Sequence, residues 1–196
     1  MNKGRLEAFS DGVIAILITI MVLELGAPHT ASLAALRPLV PTFMSYVLSF
    51  VFIAIYWNNH HHMLQASHKV DGRVLWANLH LLFWLSLVPF ATAWLGHTGF
   101  APLPVAAYGF VLLSCGIAYF VLSKALIAVN GRDSALARAL GADRKAVASL
   151  VAYSVAIACA FVDPRISGGI YVLVAIMWLV PDPRIERILE SERRTR

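Results

Sequence analysis

Six long apolar stretches, nearly free of charge, constrain the fold of this chain more than any other feature. A helix needs about 20 apolar residues to cross a hydrocarbon core of about 30 Å, or about 17 where flanking side chains reach the interface. The sequence therefore predicts an all-α polytopic membrane protein, a single domain over residues 1–196 with six transmembrane helices and short termini. The predicted spans are Phe9 to Leu25, Leu39 to Trp57, Val74 to Leu95, Pro102 to Ser123, Ala146 to Val162 and Ile166 to Val180.

The composition excludes a large catalytic domain outside the membrane. Hydrophobic residues make up 59% of the chain and charged residues only 14%, whereas a soluble domain carries about 25% charged residues. The chain has no G-x-S-x-G, no P-loop and no paired C-x-x-C motif, which are the local signatures of common enzyme sites. We expect neither an enzymatic activity nor a cofactor.

The basic residues predict the orientation of the chain. If six helices alternate across the membrane, all but Arg37 and Arg165 of the 16 Lys and Arg fall on one side. Basic loops stay in the cytoplasm, so both termini are expected there. The net charge of +5 then reflects orientation, and we expect no binding to nucleic acid.

Ionisable residues in the first span could have either a structural or a functional role. Asp11 and Glu24 lie near its two ends, where helix capping or water could satisfy them as readily as a transport function. At about 100° per residue, Ile16, Ile20 and Leu23 form one stripe, and Asp11 points about 140° away from Ile16. Spacing alone favours a packing or lipid-facing role for this stripe.

Three consecutive histidines, His60 to His62, close the second span. Imidazole binds zinc, copper and nickel, but neighbouring helical residues diverge by about 100° and do not converge on one ion. A membrane enzyme or metal-handling protein built on these residues and Asp71 is therefore the weakest alternative. A hydrogen bond from a histidine to a buried carboxylate such as Asp11 is favoured instead.

Motifs in the first three spans carry a resemblance to a known family. The segment from Arg5 to Asp11 has the pattern R-x-x-x-F-S-D, the second span closes with W-x-x-H-H from Trp57, and the third contains Asn78 and S-x-x-P-F. In this order they resemble the transmembrane protein 175 family of cation channels. The last three spans match only in hydropathy and length, and Leu64 stands where the family often has an aromatic residue.

The resemblance implies a potassium-permeable channel of the bacterial six-helix type, located in the inner membrane. It implies a homotetramer whose first helices line a central pore and which passes potassium in moderate preference to sodium, with no T-V-G-Y-G filter. The family's apolar constriction corresponds to Ile16, Ile20 and Leu23, the stripe that helical spacing also selects. Thr19 would be the hydroxyl nearest the pore, and potassium is the only metal ion expected.

The resemblance also implies a structural hydrogen-bond network around the signature. Phe9 is part of the signature. It would join the first helix to the second and third through Arg5, Ser10, Asp11, Asn78 and either His60 or His61.

A proton-coupled secondary transporter remains an alternative. It would use Asp11, Glu24 and His80 as titrating groups across the span, since ionisable residues inside a membrane often form proton relays. The chain shows no inverted repeat of the kind that many such carriers have.

Overall fold

The computed structural model describes residues 2–28, 30–131, 133–140 and 144–179, and all of its regular structure over these ranges is helical. The prediction of an all-α chain is therefore confirmed. A short 3-10 segment, Leu33–Leu39, precedes the second helix. The α-helices are α1 Lys3–Leu23, α2 Val40–Gln65, α3 Gly72–Ser86, α4 Val88–His97, α5 Pro102–Asn130, α6 Ala135–Leu140, α7 Arg144–Cys159 and α8 Pro164–Leu179.

Four helical segments among the described residues are long and apolar enough to cross a membrane, and they correspond to the first four predicted spans. They are Lys3–Leu23, Leu33–Gln65, Gly72–His97 and Pro102–Asn130. The fifth and sixth predicted spans form α7 and α8, of 16 residues each, which at 1.5 Å per residue are only about 24 Å long. Six membrane crossings remain a prediction.

The third predicted span is not one regular helix. α3 ends at Ser86 and α4 begins at Val88. Pro89 has no N–H to bond the carbonyl of Leu85, and its ring crowds that carbonyl, so the regular hydrogen-bond ladder is interrupted here. The predicted span from Val74 to Leu95 lies within the membrane-capable segment Gly72–His97, with this one interruption.

The connection after α5 agrees with the sequence. α5 ends at Asn130, and Gly131 follows with a φ of 96°, which glycine adopts more easily than other residues. Ser134 Oγ then accepts a hydrogen bond from Ala137 N at 3.2 Å and caps α6. Arg132, Val180 and the C-terminal arginines used to predict orientation lie outside the described residues.

α7 and α8 form an antiparallel hairpin. The backbone N–H of Arg165 donates to Asp163 Oδ1 at 2.9 Å in the predicted turn. Ser167 Oγ donates to the Ala156 carbonyl at 2.7 Å, and Trp178 Nε1 donates to Ser149 Oγ at 2.8 Å. Hydrogen bonds at both ends therefore hold the two short helices together.

The alanine row on α7, spaced by four residues, packs along only part of its length. Ala156 and Ala160 are fully buried, Ala152 is half-buried and Ala148 is exposed. The small-residue face therefore allows close approach of a neighbouring helix near the turn of the hairpin, as helix packing in lipid favours.

The core lies around α5, which packs against α3, α4, α7 and α8. α1 lies at one side of this core and contacts α2, α3 and α4. Its packed face carries Leu6, Ser10, Ile14, Leu17 and Met21. The recurrence of these residues every three or four positions buries one face of α1 and leaves its other face without a partner among the described residues.

Candidate pore-lining helix and its polar anchor

The predicted constriction residues lie on the unpacked face of α1. The exposed fractions of Ile16, Ile20 and Leu23 are 57%, 43% and 77%. Branched apolar side chains at spacings of four and three residues form a continuous ridge on a helix. The structure therefore places the three residues together on a surface that is available to other copies of the chain.

Thr19 lies on the same exposed face. Its Oγ1 donates a hydrogen bond to the carbonyl of Ile16 at 2.8 Å. The hydroxyl hydrogen is thus used within the helix, while the oxygen keeps a lone pair that can face a cation or water.

The N-terminal half of the exposed face is formed by small residues and one aromatic residue. Ala8, Gly12 and Ala15 are exposed, as is Phe9 of the signature. A Cβ added to Gly12 would meet no atom within 4 Å. This part of α1 therefore has room for the close approach of another helix.

A buried chain of hydrogen bonds joins α1 to α3 and α2. Ser10 Oγ donates to the Leu6 carbonyl at 2.9 Å, and Asn78 Nδ2 donates to Ser10 Oγ at 2.9 Å. His60 Nε2 lies 2.7 Å from Asn78 Oδ1. All three side chains are at most 1% exposed, so three of the predicted network residues do form one cluster, referred to below as the polar anchor.

The direction of each hydrogen bond in the polar anchor follows from its donors. Ser10 uses its only hydrogen on Leu6, so its oxygen must accept from the amide of Asn78. Asn78 Oδ1 then accepts from His60, whose hydrogen is therefore on Nε2. His60 Nδ1 is buried with no partner among the described residues. Each donor thus has an acceptor, and breaking one link would leave a buried N–H unpaired.

Asp11 makes a different contact from the one predicted. Its Oδ1 accepts a hydrogen bond from Trp57 Nε1 at 3.0 Å, and no histidine of the described chain bonds it. The ring of His61 instead stacks on Trp57, with centroids 5.9 Å apart. The sequence indicated the right helix as the partner of Asp11 but the wrong side chain.

Arg5 does not join the polar anchor. Its side chain is exposed, and no hydrogen bond or ion pair links it to the cluster within the described part of the chain. Arg5 lies about 140° from Ser10 around the helix axis, so the two cannot face the same neighbours. A place for Arg5 in the signature network stays a prediction.

The three titrating groups of the carrier alternative are not brought together. Glu24 is exposed at the end of α1, about 20 Å along the axis from Asp11. His80 Nε2 accepts from Trp84 Nε1 at 2.9 Å on its own helix. Among the described residues no hydrogen bond connects any two of these groups.

The histidines and Asp71 form no common site either. Among the described residues, no group of three His, Cys, Asp or Glu side chains could hold a metal ion. His60 points to Asn78, whereas His61 packs on Trp57. Asp71 caps α3 by accepting from Val74 N at 3.0 Å.

Sequence reasoning missed a second buried polar chain, which joins α2, α4 and α5. Thr92 Oγ1 lies 2.6 Å from Ser49 Oγ, which lies 2.9 Å from the hydroxyl of Tyr108. The signal was available, because hydroxyl residues inside apolar helices commonly bond across helix interfaces.

Comparison with known proteins supplies the family. The sequence model of the family described as endosomal/lysosomal potassium channel TMEM175 matches residues 5–89. A protein of Chryseobacterium sp. named a potassium channel is 53% identical over 191 residues, which cover 97% of this chain and 100% of the relative. The chain belongs to the TMEM175 family.

Two further TMEM175 comparisons extend over most of the chain. A protein of Chamaesiphon minutus named a potassium channel is 31% identical over 192 residues, covering 89% of this chain and 92% of the relative. A crystal structure described as a lysosomal potassium-selective channel TMEM175 homolog from Chamaesiphon minutus matches with a TM-score of 0.75 and 29% identity, covering 91% of this chain and 96% of that one. The similarity of fold therefore continues beyond residue 89, and this TMEM175 protein is a membrane protein of an ion-channel family.

Proposed function

We propose that this protein is a potassium-permeable channel in which α1 from each of four copies lines a central pore. The observation that carries the proposal is the exposed ridge of Ile16, Ile20 and Leu23, which lies outside the packed face of α1. One exposed helix cannot enclose a pore, so several copies are required. The relatives named potassium channels support the choice of ion.

The ridge is proposed to act as an apolar constriction. A ring of branched apolar side chains excludes water when it is narrow and admits a partly hydrated ion when it widens. Potassium sheds water more easily than sodium because its charge is more diffuse, which favours a moderate preference for potassium. Thr19, on the same face, would place a ring of hydroxyl oxygens beside the constriction.

The residues of the signature are proposed to hold α1 in the rotation that points the ridge toward the pore. The polar anchor fixes Ser10 to Asn78 and His60, and Trp57 holds Asp11. These contacts fall on faces of α1 other than the ridge. Phe9 and Arg5 are exposed within the single chain, and we assign them to contacts between copies.

For the membrane arrangement we propose one domain with six crossings, in which α7 and α8 are the fifth and sixth. Their lipid-facing surface would be the exposed apolar residues Val147, Val151, Val155, Phe161, Leu173 and Ile176. The basic residues support cytoplasmic termini and, with the bacterial relatives, an inner-membrane location. The partners are potassium, the bilayer and other copies of the chain, with no cofactor, enzymatic activity or nucleic acid.

The test is the reversal potential of purified protein in planar bilayers, with potassium on one side and sodium on the other. A steady current that reverses toward the potassium equilibrium potential is the expected result. No current, together with saturable and pH-coupled uptake into liposomes, would refute the channel and favour the carrier that uses Asp11 and Glu24.

A further inference from the structure

A third polar cluster joins the C-terminal end of α5 to the connection between α2 and α3. Asn130 is the last residue of α5, and its side chain makes four hydrogen bonds. Oδ1 accepts from the backbone N–H groups of His68 at 2.8 Å and Lys69 at 2.9 Å. Nδ2 donates to the carbonyls of Lys69 at 3.0 Å and Leu126 at 2.9 Å. The amide thus uses both of its donor hydrogens and both acceptor positions.

The same connection is bound from the other side by the start of α1. Lys3 Nζ donates to the carbonyl of Ser67 at 3.0 Å and lies 3.5 Å from Glu7 Oε1. Ser67 is buried, and its own Oγ donates to the Met63 carbonyl at 2.8 Å. The first turn of α1 and the last residue of α5 therefore form hydrogen bonds with three consecutive residues, 67 to 69.

This arrangement satisfies a part of the backbone that regular structure leaves unpaired. The residues between α2 and α3 belong to no helix, so their N–H and C=O groups need other partners. Asn130 and Lys3 supply those partners from two different helices. The connection consequently links α1 to α5 at the end of the molecule that carries most of the described basic residues.

We propose that Lys3 and Asn130 are positioning residues that set the tilt of the pore-lining helix. The inference rests on the proposed function, because tilt affects ion flow only if α1 lines the pore. The hydrogen bonds of Ser10 and Asp11 hold α1 at two neighbouring residues. The apolar contacts of its packed face are not directional, so a hydrogen bond at a distant position adds control over the tilt. The bond from Lys3 to Ser67 is a second attachment of this kind, seven residues below Ser10.

The geometry gives this second attachment leverage over the constriction. Lys3 lies about 10 Å below Ser10 along the helix axis, whereas Ile20 lies about 15 Å above it. A shift of about 1 Å at Lys3 would therefore move Ile20 by about 1.5 Å in the opposite direction. Such a movement would change the diameter of the proposed apolar constriction, and the diameter decides whether water fills a hydrophobic constriction.

The experiment compares single-channel open probability in assembled full-length protein of the wild type, Lys3→Met and Asn130→Ala. Lys3→Met removes one hydrogen bond, worth about 1 kcal/mol net, so open probability should fall by about fivefold; Asn130→Ala removes four and should lower it at least as much. Lys3→Arg keeps a donor and should restore the wild-type value. Asn130→Asp keeps the acceptor of the His68 and Lys69 N–H groups but loses both donors, and its effect should lie between those of the wild type and Asn130→Ala.

Lys69→Met is the matched control. It removes a positive charge from the same connection, but only the backbone of Lys69 takes part in the cluster. Its open probability should equal that of the wild type. A loss in Lys69→Met as large as that in Lys3→Met would mean that local charge, and not the hydrogen bonds, controls opening, and the proposal would fail.

The double variant of Lys3→Met and Asn130→Ala tests whether both residues act through one connection. If they do, the double variant should be no worse than the more affected single variant. Additive effects, or open probabilities equal to the wild type in both single variants, would overturn the proposal.

Hydrogen exchange separates this inference from the proposed function. In detergent-solubilised protein, amides of residues 6–10 should exchange about fivefold faster in Lys3→Met and Asn130→Ala than in Lys69→Met. Unchanged exchange overturns the positioning role even where the wild type conducts potassium. A wild type that carries no potassium current refutes the channel, while the exchange result still decides whether Lys3 and Asn130 hold α1.

Discussion

Ile20 is the central residue of the exposed ridge, between Ile16 and Leu23 on α1. In the proposed channel, Ile20→Asn replaces a ring of apolar groups with amides that hold water, so the neck should stay hydrated at a smaller diameter. We expect conductance to rise several-fold or the preference for potassium over sodium to fall. Single-channel recording under bi-ionic conditions measures both.

Val22→Asn is the matched control for that change. Val22 is also an exposed branched residue of α1, but it lies about 120° from Ile16 around the axis. Its substitution should leave conductance and reversal potential unchanged. Wild-type currents in Ile20→Asn would assign the ridge to packing or lipid contact.

Asp11 is expected to matter for assembly more than for ion preference. Asp11→Ala removes the acceptor of Trp57 Nε1, an exposed hydrogen bond worth about 1 kcal/mol. The tetramer fraction in size-exclusion chromatography with light scattering should fall, while the remaining tetramers keep the wild-type reversal potential. Glu24→Ala removes an exposed acid from the end of α1 and should assemble normally; intact Asp11→Ala tetramers with altered selectivity would contradict this assignment.

At the level of single residues, the sequence predicted the members of the polar anchor better than their pairing. Ser10, Asn78 and His60 or His61 were named from the family resemblance, and their clustering agrees with the need of polar side chains in apolar helices for partners. The pairing of Asp11 with Trp57 depends on the axial offset and rotation between α1 and α2. Packing of the whole helix faces sets both, and no local pattern encodes them.

The contact between α5 and α8 depends on a glycine, because a methyl group at that position would disrupt the packing of the two helices. A Cβ at Gly109 would overlap the hydroxyl of Tyr171 and lie 3.0 Å from Ile157 Cγ1. That hydroxyl donates to the Val105 carbonyl at 2.9 Å, so Gly109→Ala would displace it from its acceptor. We expect a loss of about 1–3 kcal/mol, seen as a lower midpoint of thermal unfolding in detergent.

Two further variants make this prediction specific. A Cβ at Gly169 of α8 meets no atom within 4 Å, so Gly169→Ala should be neutral or stabilising by up to about 1 kcal/mol. Adding Tyr171→Phe to Gly109→Ala removes the clashing oxygen and should restore part of the lost midpoint. No recovery in the double variant would mean that the Tyr171 hydroxyl is not the obstacle.

Helix ends could be predicted wherever the signal is local. Pro102 begins α5, Gly131 follows its end, and Asp163 forms the turn before α8, because each acts through its own backbone geometry. The interruption at Leu87 was missed although Pro89 was visible. Proline within an apolar run can interrupt a membrane helix, or neighbouring groups can bond the freed backbone carbonyl so that the helix continues. The local sequence does not decide between these two outcomes.

At the scale of the whole molecule, a single chain does not contain the information that closes a pore. In the proposed channel the ridge on α1 faces other copies, but the number of copies depends on the angle at which neighbours meet. Native mass spectrometry should find four times the chain mass of 21.5 kDa. A dimer or monomer that still conducts would refute a pore lined by four α1 helices.

The membrane topology depends on whether the hairpin of α7 and α8 crosses the bilayer. Each helix is only about 24 Å long, but the hydrogen bonds of Ser167 and Trp178 pair the two along their length. Six crossings place Arg165, in the turn between them, on the opposite side from Asp133, which precedes α6. With four crossings the hairpin would stay on the cytoplasmic side, and both residues would lie there.

In intact cells, a membrane-impermeant maleimide should therefore label Arg165→Cys, but reach Asp133→Cys only after permeabilisation. The wild type measures the background from Cys115, which is buried, and Cys159, which is half-buried. Labelling of Arg165→Cys only after permeabilisation would place α7 and α8 on the membrane surface and reduce the transmembrane domain to its first four spans.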